Sequence, residues 1–268
     1  MRDEILVFPG YEEKKQEVEK LRSQLTSLLL EQDDLVYVVC KNIEAKYMAK
    51  LGCLEYELYQ KQCDVLRLKR EMELIQSSIN QDEAVDLKKI KEQLDQEFME
   101  YEHRLNGMKK DMIHALQWLS GEVMTNEESK DFKKMYHTIV KALHPDMNPN
   151  ASEEQTKLFE KAVAAYKKGD IDMMRLIYEM VIGNLFPPEG DGNQNQLDEE
   201  KKRLTTRIKE VQNQIKAIQS QYPYTMKDII DDEEKVTKKR EELQLALAGW
   251  KEKEEFYQAR IRQITGQN

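Results

Sequence analysis

Residues Asp131 to Tyr166 read DFKKMYHTIVKALHPDMNPNASEEQTKLFEKAVAAY, and His144-Pro145-Asp146 at their centre is the one place where helix-forming sequence is broken by specific chemistry. Before the break, Phe132, Tyr136, Ile139 and Leu143 recur at three and four residues and form one apolar face, while Lys130, Lys133, Lys134, His137 and Lys141 project elsewhere. Thr125-Asn126-Glu127-Glu128 has the Thr-x-x-Glu spacing of a capping box and marks the start of that helix. Pro145 disfavours helical geometry at His144, and Asn148-Pro149 repeats the interruption. Ser152-Glu153-Glu154-Gln155 is a second capping box, opening a helix with Phe159, Ala162, Val163, Ala165 and Tyr166 inward. Gly169 closes it, and Asp170 caps a third helix carrying Ile171, Met174, Ile177 and Val181 before Gly183 and Pro187-Pro188.

The rest of the chain reads as all-α scaffolding around this module. Of 268 residues 35% are charged and 40% hydrophobic, too polar for a single compact core, and only ten are Gly and six Pro. A short apolar strip, Ile5 to Phe8, precedes Pro9-Gly10, and a first helix from Tyr11 carries Val18, Leu21, Leu25 and Leu28. Gln32-Asp33-Asp34 reads as a break. From Leu35 to Ile79 an apolar stripe continues at coiled-coil spacing, Asn80 to Glu83 turns the chain, and Leu87 to Leu119 repeats the stripe. This predicts residues 1–119 as an antiparallel hairpin with a short first helix, 120–186 as the module and 187–196, PPEGDGNQNQ, as a linker. Residues 197–268 are predicted to form a second antiparallel hairpin that folds back about Pro223, its arms striped by Leu197 to Ile218 and Ile229 to Ile264. Those arms are unequal, so Trp250, Phe256, Tyr257 and Ile261 need a partner in the first hairpin, the module or a second copy.

Several function classes drop out on composition. A net charge of -9 with no Lys/Arg track argues against nucleic acid. The apolar runs are too short to cross a bilayer and the N-terminus lacks a signal-peptide pattern, so the expected location is cytoplasmic. Cys40, Cys53 and Cys63 lack metal-knuckle spacing and read as reduced thiols; His103 and His114 read as structural. His144 with Asp146 offers too few groups for catalysis, with no nucleophile and base close by in sequence and no His-x-x-x-His spacing. Neither an enzyme, a cofactor nor a metal is expected. What the module does offer is charge: Ser129 to Leu143 holds four Lys against one Asp, +3 by formal count within an acidic chain, a face suited to an acidic protein surface.

The basic amphipathic helix, the His144-Pro145-Asp146 loop and the following F-x-x-A-x-x-A-Y helix from Phe159 together resemble the J domain of DnaJ-type co-chaperones. The resemblance spans about Ala115 to Gly183, roughly a quarter of the chain. It implies an all-α module that docks on a DnaK-type heat-shock ATPase and stimulates it. His144, Pro145 and Asp146 would be the trigger loop, with Lys133, Lys134, His137 and Lys141 on the docking helix. Ala115-Leu116-Gln117-Trp118-Leu119 would stand in for the family's first-helix signature, and His137, Thr138 and Leu143 depart from its pattern. Neither a Gly/Phe-rich region nor Cys-rich repeats accompany it, so the coiled-coil arms are expected to serve dimerisation or a client. The alternative is a structural coiled-coil protein that keeps a degenerate, non-stimulating J-like module.

Overall fold

The structure is a computed structural model describing residues 10–120, 124–183 and 194–266, all helix and turn among the described residues. The strip Ile5 to Phe8, residues 187–193 of the expected linker and the last two residues lie outside this description. Helical residues follow one another from Tyr11 to Asn80: α1 (Tyr11–Asp34), a π-helical stretch (Leu35–Val39), α2 (Cys40–Tyr47), a second π-helical stretch (Met48–Gly52) and α3 (Cys53–Asn80). The expected break at Gln32-Asp33-Asp34 is therefore absent. Its two carboxylates signalled solvent, whereas both accept hydrogen bonds from tyrosines far along the chain.

The chain divides into two compact units, Met1–Lys41 with Glu122–Thr225, and Asn42–Gly121 with Met226–Asn268. These are not the boundaries that the apolar stripes led one to expect.

In the first unit α6 (Asn126–Leu143), α7 (Glu153–Lys168) and α8 (Ile171–Ile182) form the module. The α6 and α7 helices are antiparallel, with Phe132 and Tyr136 against the Tyr166 ring at one end and His144 against Phe159 at the other. Tyr136, Ile139, Val140 and Leu143 are wholly buried, as are Ala162 and Met174. The α1 helix closes this core with Val18, Leu25 and Leu29, followed by Leu35 of the π-helical stretch, together with Leu204, Ile208, Val211 and Ile215 of α9 (Gln194–Gln219). The α1 and α9 helices run parallel: Lys14 meets Asp198 at 2.7 Å, Glu17 meets Lys201 at 2.7 Å and Gln32 meets Gln214 at 3.1 Å.

In the second unit α3 is the central strut. Its residues pair in reverse order with α4 (Leu87–Glu97) and α5 (Met99–Ser120): Arg70 with Glu97 at 2.9 Å, Tyr59 under the Arg104 guanidinium at 4.8 Å, and Tyr56 under Lys109 at 5.3 Å. After the short α10 (Lys227–Ile230), α11 (Glu233–Thr265) runs parallel to the same strut and the π-helical stretch before it, with Glu233 on Lys50 of that stretch at 2.6 Å and Glu254 on Lys61 of α3 at 2.9 Å. Asp232 caps α11 through the Glu234 and Lys235 amides.

The expected C-terminal hairpin is thus corrected. Residues 197–218 lie along α1 and the arm from Ile229 to Ile264 lies along α3, each arm in its own unit. An apolar stripe requires an apolar partner without specifying which, and here α9 finds it on α1 and α11 on α3. The surplus end of α11 docks accordingly: Ile261 and Ile264 pack against Ile75, Ile90, Leu94 and Phe98, while Phe256 stays exposed.

Candidate functional site

Both helices that flank the loop start on their capping boxes. The Thr125 hydroxyl accepts from the Glu128 amide at 3.2 Å and the Glu128 carboxylate accepts from the Thr125 amide at 2.9 Å, which holds the Glu128 carboxyl below its usual range. Ser152 and Gln155 repeat the exchange at 3.2 and 2.7 Å. With the start of α6 set, its stripe buries Phe132, Tyr136, Ile139 and Leu143, plus Val140, and leaves Lys130, Lys133, Lys134, His137 and Lys141 outside.

The loop is closed by its own hydrogen bonds. His144 takes an extended backbone (φ -61°, ψ 132°), as the following proline requires, and its carbonyl accepts from the Met147 and Asn148 amides, both at 2.9 Å. The Asn148 side chain donates to the Ala142 carbonyl at 2.7 Å, satisfying one of the orphan acceptors at the end of α6. Nδ1 of His144 accepts from the Asp146 amide at 3.0 Å, which leaves Nε2 as the protonated nitrogen of the neutral ring. The ring lies edge-on to Phe159 with centroids 4.9 Å apart and is mostly buried; that burial depresses the imidazole pKa, opposed in part by Asp146 and reinforced by Arg207. Pro145 is exposed at the tip, and Met147 turns inward, its sulfur 3.6 Å from the Thr26 hydroxyl of α1.

Two features of the site were not anticipated. The first is that α9 reaches the loop. Arg207 donates from Nε to the Asp146 carboxylate at 2.7 Å, and Arg203 donates to the Asp146 carbonyl at 2.7 Å. Glu210 and Glu200 hold the same two guanidiniums at 2.9 and 2.8 Å. The hydrogen bonds that Arg207 donates to Glu210 and Asp146 push its pKa up. An open hollow of about 490 Å³ lies over this cluster, lined by Asp146, Lys202, Arg203 and Arg207 among others.

The second is that α1 holds the other end of α6. The Tyr136 hydroxyl donates to Asp33 at 2.6 Å, the Tyr166 hydroxyl donates to Asp34 at 3.3 Å, and Lys133 pairs with Asp34 at 2.6 Å. Burial raises the Asp33 carboxyl pKa, with the Tyr136 hydrogen bond and Lys167 opposing it. Burial and the neighbouring carboxylates push both phenols well above their usual range. A groove of about 990 Å³ opens beside this network, lined by Asp34, Lys133, Lys134, His137 and Arg175 among others.

The candidate residues therefore fall into two groups. Asp146 and Lys133 carry internal counter-ions, and Lys134 pairs with Asp131 on its own helix at 3.6 Å. Lys134, His137 and Lys141 lie exposed along the outer side of α6. The segment Ala115 to Leu119 does not join the module: it belongs to α5 in the second unit, where the Trp118 indole donates to Asn42 at 2.9 Å. Besides α8, the segment that packs on α6 and α7 is α1 with the π-helical stretch after it, a hundred residues upstream. Among the described residues, no group of three or more His, Cys, Asp or Glu could hold a metal ion, and no helix is long and apolar enough to cross a membrane. Cys40 and Cys63 are buried and Cys53 is exposed.

No protein-family model matches this chain, and neither a curated protein nor a solved structure matches it.

Proposed function

We propose that this chain is a J-domain co-chaperone that docks on and stimulates a DnaK-type heat-shock ATPase, with its helical arms serving dimerisation or the binding of a client. The observation that carries the reading is the loop itself. His144-Pro145-Asp146 spans the turn between two antiparallel capped helices with Pro145 outward, beside the exposed Lys134, His137 and Lys141. The turn's own bonds account for His144 and Asp146, but they make no use of a cationic strip on the helix leading into it. Such a strip suits an acidic protein face, where complementary charge sets encounter rate and orientation. The site would act by contact and needs neither a cofactor nor a nucleophile.

The test is the steady-state ATPase rate of a cognate DnaK-type chaperone with and without this protein. Wild type should raise it, and His144→Gln should abolish the rise while keeping the helical circular dichroism. If wild type and His144→Gln leave the rate unchanged with every such chaperone of the source cell, the reading is wrong.

A second reading has its own support. With Asp146 held by Arg207 and Lys133 by Asp34, the loop and α6 also work as pins that fasten α9 and α1 to the module. A structural coiled-coil protein with a non-stimulating J-like module would need no more. On that reading, removing residues 250–268 abolishes self-association or partner binding while His144→Gln leaves cellular function intact.

A further inference from the structure

We infer that the docking surface is masked from within: Arg207 on α9 and Asp34 on α1 are resident counter-ions that a partner must displace from Asp146 and Lys133 before it can bind. This rests on the co-chaperone reading. It goes further by making the arms of the same unit regulators of the site.

The geometry defines what has to move. Arg207 reaches Asp146 from a helix whose Leu204, Ile208 and Val211 are buried in the core, so lifting α9 away would expose those side chains to water. Turning one guanidinium is far easier. Arg207 is about one-third exposed and already holds Glu210 through Nη1, so it keeps a carboxylate partner when Asp146 is taken from it. Arg203 is likewise held by Glu200 on its own helix. At the other end Asp34 keeps the Tyr166 hydroxyl when Lys133 leaves. Each guard therefore has a fallback bond, and unmasking is an exchange of side-chain partners with α1 and α9 in place. The incoming group at Asp146 must be cationic and the one at Lys133 anionic, because each replaces an ion of that sign.

Masking also alters how binding responds to salt. In wild type a partner replaces two internal ion pairs with two external ones, so screening acts on both sides of the equilibrium. Removing a guard makes the external pair a net gain, and binding becomes more sensitive to salt.

The experiment is a titration of single-turnover ATP hydrolysis by a cognate DnaK-type chaperone with full-length wild type, Arg207→Gln, Asp34→Asn and Asp146→Asn at two salt concentrations. An exposed ion pair contributes enough that each guard variant should lower the half-maximal concentration by about two- to fivefold, with a steeper salt dependence. Asp146→Asn should be inert. Far-ultraviolet circular dichroism checks folding, and the two guards sit on different helices, so one variant carries the test should the other unfold. Equal half-maximal concentrations for wild type and the folded guard variants, with Asp146→Asn inert, overturn the masking and leave the co-chaperone reading standing. Failure of all four proteins to stimulate overturns that reading and the masking with it.

Discussion

Replacing Tyr136 with Phe removes one oxygen from the centre of the first unit and almost nothing else. The Tyr136 ring is fully buried and stacks on Tyr166 with centroids 4.0 Å apart and planes 13° from parallel, contacts that Phe can keep. What goes is the hydroxyl that donates to Asp33 at 2.6 Å, a length typical of a charge-assisted O–H···O⁻ bond. Because the acceptor is half-buried, the loss includes the cost of leaving a carboxylate short of a donor, about 1.5–3 kcal/mol. Both tryptophans, Trp118 and Trp250, lie in the second unit, so their fluorescence is a poor probe of the first. Amide hydrogen exchange across Ile139 to Leu143 reads the first unit directly, and that loss corresponds to roughly tenfold to hundredfold faster exchange at pH 7. The sign of the pH dependence follows from Asp33, whose pKa is already raised in the folded state by burial. The folded protein favours the protonated acid, so the destabilising charge is fully present above the folded pKa and is relieved as pH falls toward the unfolded value of 3.8. The Tyr136→Phe defect should therefore shrink on acidification. Asp33→Asn supplies the double-mutant cycle. Additive effects of the two changes, or an exchange rate altered less than about threefold at pH 7, would refute a stabilising Tyr136–Asp33 bond.

Three further outcomes are expected. His144 has its folded pKa depressed by burial, so its contribution to stability is present above the unfolded value of 6.5 and is lost as pH falls through it. Stability should drop as pH falls below 6.5, by up to about 1.4 kcal/mol per pH unit. An equal drop in His144→Gln would show that another group is responsible. Leu143→Ala, at a wholly buried position beneath the loop, should cost about 2–5 kcal/mol of unfolding free energy in urea; a cost below about 1 kcal/mol would contradict the packing of α6. The parallel run of α1 and α9 predicts that cysteines placed at Gln32 and Gln214, in a Cys53→Ser background, are joined by a short bis-maleimide. The fold-back about Pro223 would instead bring residue 214 near 232, and cross-linking of that pair in preference to 32 with 214 would overturn the arrangement.

What was readable in the sequence was local. Thr125 with Glu128 and Ser152 with Gln155 announce two helix starts because both partners of each capping bond lie within four residues. The buried faces of α6 and α7 follow from a period of three to four in the same way, with Val140 and Leu158 the additions. What could not be read was pairing at a distance. A stripe such as Leu204, Ile208, Val211 and Ile215 states that an apolar neighbour exists without saying which, and a turn at Pro223 made the nearest arm the natural choice. Asp33 and Asp34 resembled a solvated corner because the hydroxyls that satisfy them are 103 and 132 residues away. The same distance hid Arg203 and Arg207 from the reading of Asp146, at 57 and 61 residues. An acidic residue in a loop gives no hint of the cation that will find it.

The turn from His144 to Gln155 carries a consequence for recognition speed. Apart from the Arg203 bond to the Asp146 carbonyl, its shape is set by bonds that start and end within the turn or in the last turn of α6: Nδ1 of His144 from the Asp146 amide, the Ala142 carbonyl from Asn148, and the Ser152–Gln155 exchange. None of these involves the groups a partner would contact at Pro145 or on the Asp146 carboxylate. An encounter therefore has no loop to freeze, and the ordering entropy that weakens binding by mobile segments was met when the chain folded. Association at this site should be limited by the exchange of counter-ions and by diffusion, with no slow conformational step in the loop.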